Sequence, residues 1–157
     1  MYILDPESNL ADTRERMREL FDDLSSKYGW EWNGFIGEIP SGDVIEAALR
    51  RENSLYIFCG HGGGESILPR SKFDRLFLEN RNDQGSIQSK CQSSLLLIGC
   101  SSGRLESVNA HREEREEYAP LGEYHYEPDG AIISYLCAGA PCVVANLWDV
   151  TDRDIDR

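Results

Sequence analysis

No stretch of about 18 consecutive apolar residues occurs in the 157-residue chain, which excludes a membrane-spanning helix. The opening MYILDPESNL has no basic region ahead of an apolar stretch, so it does not read as a secretory signal. Basic side chains are in the minority, 16 against 28 acidic ones for a net charge of −12. A nucleic-acid binder needs a cationic face, so that class is disfavoured. The acidic excess suits basic ligands and peptides, although acidity alone chiefly serves solubility. No paired C-x-x-C spacing signals zinc. The glycine run at 62–64 lacks the Lys-Ser/Thr of a P-loop and is followed by acidic Glu65, so a phosphate cradle is a weak reading. There is no internal repeat and no domain-splitting linker.

What is present is the composition of one folded domain, 40% hydrophobic and 28% charged. The five cysteines are an odd number. Without a signal sequence they read as reduced thiols of a cytosolic or nuclear protein, not as a disulfide framework. Residues 1–4 predict a short strand closing at Asp5-Pro6, and cap-type residues follow at 9–13. Met17, Leu20, Phe21 and Leu24 recur at helical spacing within 13–28, and Gly29 ends that amphipathic helix. Trp30, Trp32, Phe35 and Ile36 form a second strand-like run. Pro40-Ser41-Gly42-Asp43 opens a helix carrying Val44, Ile45, Ala48 and Leu49.

Three runs are apolar at nearly every position: 55–59, 94–98 and 142–147. Such runs predict strands buried on both faces, as in a parallel sheet covered by helices. A helix over 130–138 precedes the third, and the alternation gives a three-layer α/β fold with a mostly parallel sheet flanked by helices. Residues 78–94 and 107–129 are polar and read as surface insertions or mobile loops.

In open parallel sheets, ligands bind beyond the carboxyl ends of the strands. The first of these runs ends in Gly60-His61-Gly62-Gly63-Gly64 and the second in Gly99-Cys100-Ser101-Ser102-Gly103. If the two strands are neighbours, His61 and Cys100 face one crevice. A thiolate there can attack a carbonyl carbon, and an imidazole, which titrates near neutrality, can protonate the leaving amine. Gly62 lets the backbone approach a substrate closely. The N–H groups of Gly62 and Cys100 are the candidate oxyanion donors. No third side chain is evident, which leaves a backbone carbonyl to orient His61. Cys59, Cys137 and Cys142 read as core and Cys91 as an exposed bystander; zinc on Cys59, His61 and Cys100 ranks below the nucleophile reading. The acidic tail after the third run offers Asp149 and Asp152 either to grip an arginine side chain or to cap a helix.

YILDPESNL, GEIPS, YIFCGHGGG, LLLIGCSSGRL and ANLWDVTDRDIDR together resemble the catalytic protease domain of the separase family. The resemblance covers most of the chain, and its last two motifs are the most specific. It implies a caspase-like α/β fold over residues 1–157 and a cysteine endopeptidase that needs neither metal nor cofactor. His61 matches the catalytic histidine, Cys100 the nucleophile and Gly62 the oxyanion glycine. Asp149 and Asp152 fall in the motif that recognises the substrate arginine, Asp149 being the better match. The implied substrate is the kleisin subunit of cohesin, cut after arginine to separate sister chromatids at anaphase. The implied inhibitor is securin, and the implied location is cytoplasm and nucleus, at the spindle, centrosomes and chromosomes in mitosis. The implied whole is much larger, with a helical amino-terminal region, and no nucleic acid or membrane is expected as a direct partner. Residues 105–128 are longer and more acidic than the family's connector. A CHAT-type peptidase with another substrate, and a non-catalytic peptide-binding fragment of the same fold, are the alternatives.

Overall fold

A computed structural model describes residues 1–79, 90–107 and 128–150. The chain runs β1 (Tyr2–Leu4), α1 (Ala11–Tyr28), β2 (Gly34–Ile36), α2 (Gly42–Arg50), β3 (Leu55–Cys59) and α3 (Arg70–Asp74). A π-helical turn, Arg75–Glu79, extends α3. Then come β4 (Ser94–Ile98), β5 (Glu106–Ser107), β6 (Pro128–Asp129), α4 (Ala131–Cys137) and β7 (Val143–Ala145). Five strands form one sheet in the order β2-β1-β3-β4-β7, and every pairing in it is parallel. β5 and β6 pair antiparallel as a separate ribbon.

Side chains alternate between the two faces of each strand, and the core divides accordingly. Ile3, Tyr56, Phe58, Leu95 and Leu97 point to the face covered by α2 (Ile45, Leu49), α3 and its π turn (Phe73, Phe77) and α4 (Tyr135). Tyr2, Leu4, Ile57 and Cys59 point the other way, onto Met17 and Phe21 of α1. Tyr2 stacks on Phe21 with ring centroids 4.0 Å apart, and Trp32 closes the cluster edge-on. The expectation of burial on both faces therefore holds for β3 but not for the whole sheet. Leu96 and Ile98 of β4 are only half-buried, and Val144 of β7 is 54% exposed. The reason is that α1 lies over β1 and β3; among the described residues, no helix covers the same face of β4 and β7.

α1 begins two residues earlier than its periodicity predicted, after Leu10, and no side chain caps its first turn. Asp5 Oδ1 accepts the N–H groups of Asn9 (2.9 Å) and Leu10 (3.1 Å), which pins the two residues that lead into the helix. At the other end Gly29 adopts φ +68° and donates its N–H to Ser25 O. Three cysteine expectations are corrected. Cys91 is fully buried, because the chain entering β4 runs beneath α4 and donates Cys91 N–H to Ala138 O. Cys137 is exposed because α4 turns Ser134, Tyr135 and Ala138 inward, and Cys142 is exposed at the mouth of an edge strand. Cys59 is buried as expected.

Candidate active site

β3 and β4 are neighbours, and Cys59 pairs in register with Ile98. His61 and Cys100 each follow two residues after that pair, so their loops leave the sheet side by side at its carboxyl edge. Both side chains are exposed. The loops are pressed together: a Cβ on Gly99 would lie 2.1 Å from Gly62 O and 2.5 Å from Gly60 O. Only glycine permits that approach of backbone to backbone. Gly60 N–H also donates to Ile98 O at 3.1 Å. Gly62 takes φ +60°, a left-handed conformation that other residues adopt at a cost. Its N–H has no hydrogen-bond partner among the described residues. The next N–H, of Gly63, is taken by the carboxylate of Glu65 at 2.9 Å.

The chain after β7 fastens onto the Cys100 loop. Ser101 N–H donates to Trp148 O (3.1 Å) and Gly103 N–H to Asn146 O (2.8 Å). Buried Ser102 donates its hydroxyl to Leu97 O (2.8 Å) and accepts Asn146 N–H (3.1 Å), while the Asn146 side chain donates to Gly99 O (3.1 Å). Ser101 stands at φ +53°. It is held there by a 2.6 Å hydrogen bond from its hydroxyl to Asp149 Oδ1. The Cys100 thiol donates to Val150 O at 3.0 Å. Asp149 thus lies beside the cysteine loop with its side chain exposed. Asp152 lies outside the described residues, as do positions 108–127 of the acidic insertion and 80–89 of the earlier polar stretch.

Sequence reasoning missed one participant. His61 Nε2 is 2.9 Å from Asn9 Oδ1, so a side chain stands where a backbone carbonyl was expected. The two residues are 52 positions apart in sequence, and the only sequence-level sign was a polar residue just beyond the first strand. Cys59, offered as a zinc ligand, is buried against α1 in the second core cluster. Among the described residues no group of three or more His, Cys, Asp or Glu side chains is arranged to hold a metal ion.

Known proteins match the chain over nearly its whole length. A family profile described as the separin protease domain matches residues 1–155. The chain belongs to the separin protease-domain family. Separin of Mus musculus is 40% identical over 99% of the chain, and separin of Emericella nidulans 36% identical over the same share. Separin of Schizosaccharomyces pombe is 34% identical over 99% of it. The chain spans only 6% to 7% of the length of these relatives. The crystal structure of the Saccharomyces cerevisiae separase–securin complex superposes with a TM-score of 0.65 at 27% identity, over 99% of this chain and 8% of that one. At that identity and score, the separin fold and the mixed α/β architecture described above are the same.

Proposed function

We propose that this chain is the catalytic core of a separase-type cysteine endopeptidase that cuts after arginine. The observation that carries the reading is the neighbouring, in-register exit of the His61 and Cys100 loops from β3 and β4, in a chain of the separin family. In the proposed reaction Cys100 loses its thiol proton to His61, and the thiolate attacks the scissile carbonyl carbon. Electrons move onto the carbonyl oxygen, which receives hydrogen bonds from the N–H groups of Gly62 and Cys100. The C–N bond breaks as His61 returns its proton to the departing amine. Water then adds to the thioester, giving one proton to His61. Collapse releases the carboxylic acid and restores the thiol.

Asp149 is the proposed partner of the substrate arginine, since a carboxylate accepts a guanidinium in a bidentate, charge-assisted pair. Its hydrogen bond from Ser101 would fix the carboxylate beside the nucleophile's loop. Asp152 is proposed to assist. The kleisin subunit of cohesin is the proposed substrate, and chromosome segregation in the cytoplasm and nucleus the proposed setting. Securin is the proposed inhibitory partner, by analogy with the yeast separase–securin complex, and a helical region of the same protein the other. The test is cleavage of an arginine-containing kleisin peptide by the wild type and Cys100→Ser, with labelling by an acyloxymethyl ketone in parallel. Loss of both cleavage and label in the variant is expected. Undiminished cleavage by Cys100→Ser refutes the assignment, and peptide binding without any label at Cys100 in the wild type favours a non-catalytic module.

A further inference from the structure

His61 has little of its own to hold it. It is exposed, it stands between Gly60 and Gly62, and Gly62 is in the left-handed region. Glycine on either side restrains the chain least. Its one side-chain partner among the described residues is Asn9, and Asn9 is firmly held. Its backbone N–H donates to Asp5 Oδ1 at 2.9 Å. Asp5 is 1% exposed, carries Arg14 at 3.6 Å on its other oxygen, and donates its own N–H to Cys59 O at 2.8 Å. Cys59 is the last residue of β3, two before His61. The bonds therefore close a ring, from β3 through Asp5 and Asn9 back to the histidine that β3 delivers.

We infer that Asn9 is a positioning residue that fixes both the orientation and the tautomer of His61. The inference rests on the peptidase reading for its catalytic meaning. Asn9 does not cap α1 with its side chain, because the N-cap position is Leu10 and the helix start has no side-chain capping bond. Its amide oxygen can only accept, so the proton of neutral His61 sits on Nε2 and Nδ1 is the nitrogen left for proton exchange. When His61 takes up a second proton, the Nε2–H···Oδ1 bond becomes charge-assisted and strengthens. An amide does this without adding a charge beside Cys100. Among the described residues, Glu65 stands on the same loop as His61, Cys100 on the loop after β4, and the Asp5–Arg14 pair behind Asn9.

The test measures His61 directly, by deuterium exchange at its imidazole C2 as a function of pH, read by mass spectrometry on the full chain. Wild type, Asn9→Ala and Asn9→Asp are compared, together with the pH profile of Cys100 alkylation by iodoacetamide. Asn9→Asp keeps the acceptor and adds a charge, so the pH at which His61 loses its proton should rise by about one unit, roughly tenfold in proton affinity. Asn9→Ala should slow Cys100 alkylation at neutral pH roughly tenfold or more. Asn9→Asp should restore it to within about threefold, with the profile displaced to higher pH. A merely structural asparagine would not move the titration of His61. Identical titration of His61 in wild type and Asn9→Asp overturns the inference, and the near-isosteric Asp variant keeps that outcome readable if Asn9→Ala fails to fold. The His61 readout needs no turnover. A responsive His61 with an unreactive Cys100 therefore refutes the peptidase reading and upholds the pairing.

Discussion

Gly99→Ala probes how tightly the histidine and cysteine loops are pressed together. The added methyl carbon would stand 2.1 Å from Gly62 O, 2.5 Å from Gly60 O and 3.1 Å from Gly62 C. All three are backbone atoms, so no side chain can swing aside. Relief requires the glycine loop to move by about 1 Å or more relative to β4, and a displacement of that size at a reacting group costs about 10²-fold in rate. Overpacking usually costs about 1–3 kcal/mol; a clash with two carbonyls belongs at the upper end. For a chain of this size about 3 kcal/mol lowers the melting temperature by roughly 6–12 °C. Gly29→Ala is the control. It sits at φ +68° with nothing within 4 Å of the new carbon, so it costs only backbone strain, about 1–2 kcal/mol, and leaves the site alone. Thermal unfolding and the rate of Cys100 alkylation measure both effects. If Gly99→Ala melts within about 2 °C of wild type and alkylates at an unchanged rate, the two loops are not coupled through this contact and the reasoning fails.

Burial pushes the Cys91 thiol from 9.0 up to about 11, against a smaller opposing pull from a hydrogen bond with the Ser93 backbone. Cys91 should resist iodoacetamide at pH 8 while exposed Cys100 reacts, and peptide mass spectrometry of the alkylated chain separates the two. Tyr56 and Tyr135 are also raised, chiefly by burial. All three groups lose protons more readily unfolded than folded. Their stabilising effect is therefore complete below the unfolded pKa and declines as pH rises from about 9 toward 11. The thiol accounts for on the order of 2–3 kcal/mol of that decline. Denaturant midpoints measured from neutral to pH 10.5 should fall, and a flat or rising trend contradicts the assignment. Asp5→Ala removes the acceptor of the Asn9 and Leu10 N–H groups and places alanine at φ +46°. It should cost about 2–3 kcal/mol in chemical unfolding and slow Cys100 alkylation by loosening Asn9. Asp5→Asn, which keeps a carbonyl acceptor and tolerates that conformation, should recover most of both, and equal losses in the two variants would argue against a role for these two hydrogen bonds.

Local patterns made much of this protein legible. The apolar runs at 55–59 and 94–98 marked β3 and β4, and their abrupt ends at Gly60-His61 and Gly99-Cys100 marked the candidate site. The spacing of Met17 and Phe21 marked α1, and that of Ile45 and Leu49 marked α2. These signals survive because period and termination are written in neighbouring residues. The short helix α3 and its π turn escaped notice because Arg70–Glu79 is too brief to show a period. Cys91 was misread for a related reason: polar neighbours say little about a residue that passes under α4. Cys137 and Cys142 were misread in the opposite sense, since apolar neighbours do not reveal which side of α4 or which edge of the sheet they occupy.

Neighbouring residues were enough to mark β1 to β4, β7, α1, α2 and α4, and to place a histidine and a cysteine each just past the end of a strand. That β3 and β4 are neighbours in register depends on the fold as a whole. Only the tertiary structure decided that Gly99 meets Gly62, that Asp149 braces Ser101, and that Asn9 reaches His61 across 52 residues. The physical reason is range. Periodicity and capping act over a few residues along the chain, whereas strand order, loop-to-loop contact and side-chain hydrogen bonds depend on the packing of helices on both faces of the sheet.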